Sequence, residues 1–117
     1  MKILFVITQP ASFAAVHLYV LELLKEYRSR EQDIISVFFT GQAVGLMSKN
    51  HEENSAQGRL RNSYGSVCAE IGTQILCCGQ AVRNHGLIYQ DLLDSVKVSG
   101  NMELSVNIAN ADLVLEF

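Results

Sequence analysis

The sequence predicts an α/β protein built on a parallel sheet covered on both faces. Apolar runs too continuous for half-exposed strands recur along the chain, stretches of helical periodicity separate them, and Gly, Pro or polar residues punctuate the boundaries. Strands that alternate with helices imply crossover connections and hence a parallel sheet. At 117 residues the chain has room for one domain, read as residues 1–117, with no internal repeat, low-complexity segment or linker.

Lys2-Ile-Leu-Phe-Val-Ile7 is the first such run, and Pro10 closes it. From Ser12 to Tyr27, Val16, Val20, Leu23, Leu24 and Tyr27 recur at helical spacing, with Glu22, Lys25 and Glu26 off that stripe; Ser12 is the expected N-cap. Ile34-Ile-Ser-Val-Phe-Phe39 reads as a second buried strand ending at Thr40-Gly41, and the patch Ala43 to Met47 as a helical turn or two. Residues 48–62 are polar and read as an exposed loop. A helix over 63–71 stops at Gly72, followed by a strand over Thr73–Cys78, a short helix to about His85 and a stop at Gly86. Leu87 to Leu93 suits another helical segment, Ser95 to Ser99 a short strand, Met102 to Ala109 a helix and Asp112 to Phe117 a last strand.

Composition narrows the partners. Apolar residues make up 49% without glycine and charged ones 18%, against about 45–50% with glycine and about 25% in ordinary chains. A small domain cannot bury that excess within one copy, so subunit contacts are expected. The net charge of −3, with Arg59-Leu60-Arg61 as the densest basic spot, argues against direct nucleic-acid binding. The apolar start ends before Gln9-Pro10, too short for a secretory signal or a membrane span, and a cytoplasmic protein without membrane attachment is expected. An odd count of three cysteines fits reduced thiols.

The sharpest candidate is Cys78. An apolar strand stops there and a helix begins at once, where unpaired N–H groups and the positive helix end favour a thiolate. A nucleophile competes here with a small core residue, since free cysteine is often buried. Gly79 next to it allows close approach of a backbone or ligand. Arg83 and His85 lie one to two helical turns on, as sources of positive potential or as a solvated arginine and a satisfied loop histidine. Cys77 points to the opposite strand face and reads as core; Cys68 falls in a helix and reads as packing. Sites in open parallel sheets gather at the carboxyl ends of strands, which places Thr8-Gln9-Pro10, Thr40-Gly41 and Cys78 on one edge. His17, His51 and His85 and the cysteines offer no zinc spacing, and His17 reads as structural. Nucleotide-binding signatures are missing, although the Thr8-to-Ser12 loop offers a helix end to a phosphate.

These residues carry a resemblance. The opening strand with Thr8-Gln9-Pro10, Ser36-Val-Phe-Phe39, the helix ending at Gly72, the strand ending in Cys78 with Gly86 eight residues on, and the closing Ala111-Asp-Leu-Val-Leu-Glu-Phe117 together resemble the DsrE/TusD family of small sulfur-carrier proteins over nearly the whole chain. The resemblance implies a three-layer α/β/α fold around a five-stranded, mainly parallel sheet. It implies a sulfurtransferase-type carrier in which Cys78 accepts sulfane sulfur as a persulfide and passes it to a partner thiol, in tRNA thiolation or intracellular sulfur oxidation. The implied partners are sulfur-donor and sulfur-acceptor proteins, in a homo- or hetero-oligomer, trimer or hexamer; no metal or organic cofactor is required. Two other readings stand beside it: a non-catalytic assembly subunit of the same family, and a flavodoxin-like module that binds a nucleotide or flavin through the Thr8-to-Ser12 loop.

Overall fold

Five short strands run parallel: β1 (Lys2–Ile7), β2 (Asp33–Phe39), β3 (Gln74–Cys78), β4 (Val96–Ser99) and β5 (Leu113–Glu116). Four α-helices connect them: α1 (Ala14–Ser29), α2 (Ala56–Ile71), α3 (Gly79–Asn84) and α4 (Asn101–Asn110). The computed structural model describes residues 1–117 and orders the strands β4-β3-β2-β1-β5.

That order explains the layers. The connections β1–α1–β2, β2–α2–β3 and β3–α3–β4 all step the same way across the sheet, so the right-handed crossover rule puts them on one face. The β4–α4–β5 connection returns to the far edge, so α4 lies on the other face, where Asn107 Nδ2 reaches Ser36 Oγ at 3.4 Å. The chain is thus a three-layer α/β/α sandwich with an all-parallel sheet, as expected.

Side-chain alternation follows from the register. Phe5 pairs with Val37, Ile7 with Phe39, Val37 with Ile75, and Phe39 with Cys77, and all of these point toward α1 and α2. There Phe5 meets the ring of Tyr27 at 6.2 Å and Phe39 that of Tyr64 at 5.0 Å. Leu4, Val6, Ser36, Phe38, Leu76 and Cys78 point the other way. Strands covered on both faces account for the unbroken apolar runs.

The structure corrects four boundaries. Ser12 does not cap α1: Phe13 takes the N-cap position without a side-chain bond, because its N–H donates to Pro10 O in a turn (3.0 Å). The expected loop over 48–62 is half helix. Ser55 Oγ accepts from Gly58 N at 3.0 Å and starts α2 there, with Leu60 and Arg61 buried. Gly58 is required, since a Cβ there would overlap the Glu52 carbonyl. Thr73 falls outside β3, its N–H donating to Cys68 O and its hydroxyl to Ile34 O. Leu87 to Leu93 is not a helix beyond one 3₁₀ turn at Tyr89–Asp91, because its backbone pairs with residues 47–49 instead (Leu93 N to Met47 O, 2.8 Å; Lys49 N to Asp91 O, 2.6 Å). The patch from Ala43 to Met47 is a buried 3₁₀ segment, Gly41–Met47. Gly72 closes α2 with φ 73°, the left-handed conformation expected of it.

Candidate functional site

Cys78 ends β3 and is the N-cap residue of α3. Its side chain lies on the α4 side of the sheet, beside Ser99 in the paired strand. Gly79 packs the start of α3 closely against β4: a Cβ there would stand 3.3 Å from Val98 Cγ1 and 3.4 Å from Ser99 O. Arg83 folds back over this first turn. Its Nη2 donates to Gln80 Oε1 at 3.1 Å, and its Nη1 lies 3.6 Å from the same Gly79 position. With only six residues, α3 brings no long helix dipole to Cys78, only the unpaired N–H groups of its first turn.

The other two thiols are different. Cys77 is fully buried on the α1/α2 side, and burial, with Cys78 beside it, pushes its pKa up to about 12. Burial likewise pushes Cys68 up to about 12. All three cysteines are free and buried, Cys78 the least so at 7% exposure against 2% for Cys68. Cys77 and Cys68 are therefore packing residues, as read from their positions.

Sequence reasoning missed a polar cluster on the Cys78 face. Ser99 Oγ donates to Glu103 Oε2 at 2.7 Å, and Lys97 Nζ lies 3.4 Å from Glu103 Oε1. The Ser99 hydrogen bond, then Lys97, holds the Glu103 carboxyl below the usual range. The only sequence signal was a serine closing a strand four residues before a glutamate in the first turn of α4.

The carboxyl ends of β1, β2 and β3 share one edge, as expected, since Ile7 pairs with Phe39 and Phe39 with Cys77. Thr8 and Gly41 are neighbours, but the loops after β1 and β2 surround a cavity lined also by His51 and His85, and Cys78 is not among its lining residues. His17 is structural. Its ring lies fully buried, with Nε2 donating to Pro10 O (3.0 Å) and Gln9 O (3.1 Å), so Nδ1 accepts from the Tyr64 hydroxyl at 2.8 Å. No group of three or more His, Cys, Asp or Glu gathers as metal ligands, and no helix is long and apolar enough to cross a membrane.

A model of the DsrE/DsrF-like family matches residues 1–117. No curated protein matches the sequence. Among solved structures, the ychN protein of E. coli superposes with a TM-score of 0.77 at 18% identity, over 100% of this chain and 99% of that one. MTH1491 of Methanobacterium thermoautotrophicum, a protein of unknown function, gives 0.75 at 15% identity over 99% and 98% of the two chains. BT1422 of Bacteroides thetaiotaomicron, also of unknown function, gives 0.66 at 15% over 99% and 94%. At these identities the likeness is one of fold.

Proposed function

This chain belongs to the DsrE/DsrF-like family, and we propose that it is a sulfur carrier that holds sulfane sulfur on Cys78. Family and fold support a sulfur-relay type of protein. The residue-level reading is supported by one observation above the rest: Cys78 is the thiol at the carboxyl end of a central parallel strand, at a helix start with Arg83 folded over it, while Cys68 and Cys77 are sealed.

In this reading the Cys78 thiolate attacks the outer sulfur of a donor persulfide, R–S–SH. A new S–S bond forms on Cys78, the donor S–S bond breaks, and the donor leaves as a thiolate. An acceptor thiolate then attacks the outer sulfur of Cys78–S–SH, takes it as its own persulfide and releases the Cys78 thiolate. Both steps are thiol exchanges that need no outside oxidant or cofactor. The relay served is tRNA thiolation or sulfur oxidation, and donor and acceptor proteins dock at the Cys78 edge. Assembly into an oligomer is part of the proposal, supported by the apolar residues that α4 and β5 leave exposed, Met102, Val106, Ile108 and Val114.

Intact mass spectrometry after incubation with a persulfide donor tests the assignment. One added sulfur is expected, removed by reductant, retained in Cys68→Ser and lost in Cys78→Ser. Sulfur on Cys68, or on no cysteine, sinks it.

A further inference from the structure

Cys78 and Ser99 are paired across β3 and β4, and both are buried, at 7% and 8% exposure. Neighbouring strands lie about 4.8 Å apart, and paired residues of parallel strands turn their side chains to the same face. The sheet itself therefore sets the Ser99 hydroxyl beside the Cys78 sulfur. Cys78 finds no substitute for it in α3, where its side chain makes no cap bond.

What that hydroxyl can offer depends on Glu103. Ser99 Oγ lies 2.7 Å from Glu103 Oε2, and Lys97 Nζ lies 3.4 Å from Glu103 Oε1. The Ser99 hydrogen bond, then Lys97, holds the Glu103 carboxyl below the usual range. At neutral pH the group is a carboxylate, which only accepts, so Ser99 is the donor. A serine has one proton to give. With that proton committed to Glu103, Ser99 Oγ meets the sulfur with lone pairs alone. Lone pairs can accept from a thiol but offer nothing to a thiolate, the form that sulfur transfer needs.

The tie belongs to the docking of α4 on the sheet. Asn107 lies one turn beyond Glu103 on the same helix face and reaches Ser36 Oγ of β2 at 3.4 Å. The Glu103 side chain is 36% exposed and has Lys97 beside it, so solvent and the cation screen its charge. Its hold on the hydroxyl therefore matters more at Cys78 than its field does.

We infer that Glu103 is a positioning residue that acts through Ser99: it turns the Ser99 hydroxyl away from Cys78 and keeps the sulfur as a thiol in the free protein. Released from Glu103, the hydroxyl turns and donates to the thiolate or to the Cys78 persulfide anion. The inference rests on Cys78 as the sulfur-carrying residue, but its test needs no sulfur.

The test is the second-order rate of Cys78 alkylation by iodoacetamide at pH 7, read by peptide mass mapping. It compares the parent chain with Ser99→Ala, Glu103→Ala and the double variant. A hydrogen bond to a charged group is worth about tenfold in thiolate population, and the lower basicity of that thiolate offsets part of the gain. Glu103→Ala should therefore alkylate about threefold faster than the parent. The double variant should match Ser99→Ala, because the gain needs the hydroxyl. Alanine is the best helix former and suits α4, and Glu103→Met is a second variant with the same expectation. No acceleration in either folded Glu103 variant overturns the inference. So does acceleration that survives in the double variant, which would assign the effect to charge or to an uncovered sulfur. Rates as expected, with no sulfur taken up by any of these proteins, would sink the carrier reading alone.

Discussion

The two faces of the sheet carry equally apolar strands, yet they are covered unequally. Against one face lie α1, α2 and the buried 3₁₀ segment, and Phe5, Phe39 and Tyr64 are fully enclosed there. Against the other lies α4 alone, none of whose residues is buried, with Met102 83% exposed. Adjacent residues of one strand sample both environments, Cys77 on the α1/α2 side and Cys78, 7% exposed, on the α4 side, where Leu4 and Phe38 are buried as well.

The thiols give the largest contrast. With a pKa of about 12, Cys77 is thiolate to about one part in ten thousand near pH 8, so it should alkylate about a thousandfold more slowly than a free cysteine. Under native conditions a maleimide should label Cys78 first, read by peptide mass mapping. First labelling of Cys77 or Cys68 would erase the distinction between the faces. The same raised pKa values make their burial stabilising below the unfolded thiol range, and that contribution is lost as pH rises from there toward about 12.

Core truncation comes next. Phe39→Ala on the sealed face should cost about 3–5 kcal/mol by urea unfolding. Val106→Ser on α4, where the side chain is exposed, should change subunit stability by less than about 0.5 kcal/mol while weakening self-association in sedimentation. Equal losses at the two positions would mean that the faces are equivalent.

Glu103→Gln is the smallest probe, on the open face. Because the Glu103 pKa is lowered in the fold, its carboxylate stabilises above the unfolded glutamate pKa of about 4.3, and that contribution is lost as pH falls through the depressed value. The variant should be slightly weaker than the parent at neutral pH and equal to it in acid. A gap that persists in acid would assign the effect to packing instead of charge.

The alternation of strands and helices was legible because burial on both faces leaves unbroken apolar runs, and Gly72 and Gly86 mark real helix stops with φ of 73° and 68°. The first half of α2 was not legible. Gly58, Arg59 and Arg61 hide its periodicity, and a buried arginine looks on paper like a solvated one. The cavity after β1 and β2 was illegible for the same kind of reason: Gln42, His51 and His85 are far apart in sequence, and only the fold brings them to one lining.

By itself the sequence determined the strand–helix junction at Cys78 and the opposed faces of Cys77 and Cys78, since both follow from local periodicity. Tertiary structure alone decided the strand order β4-β3-β2-β1-β5 and the return of α4 across the sheet. Those depend on long-range packing and crossover hand, which no local pattern encodes, and they leave the Cys78 side thinly covered.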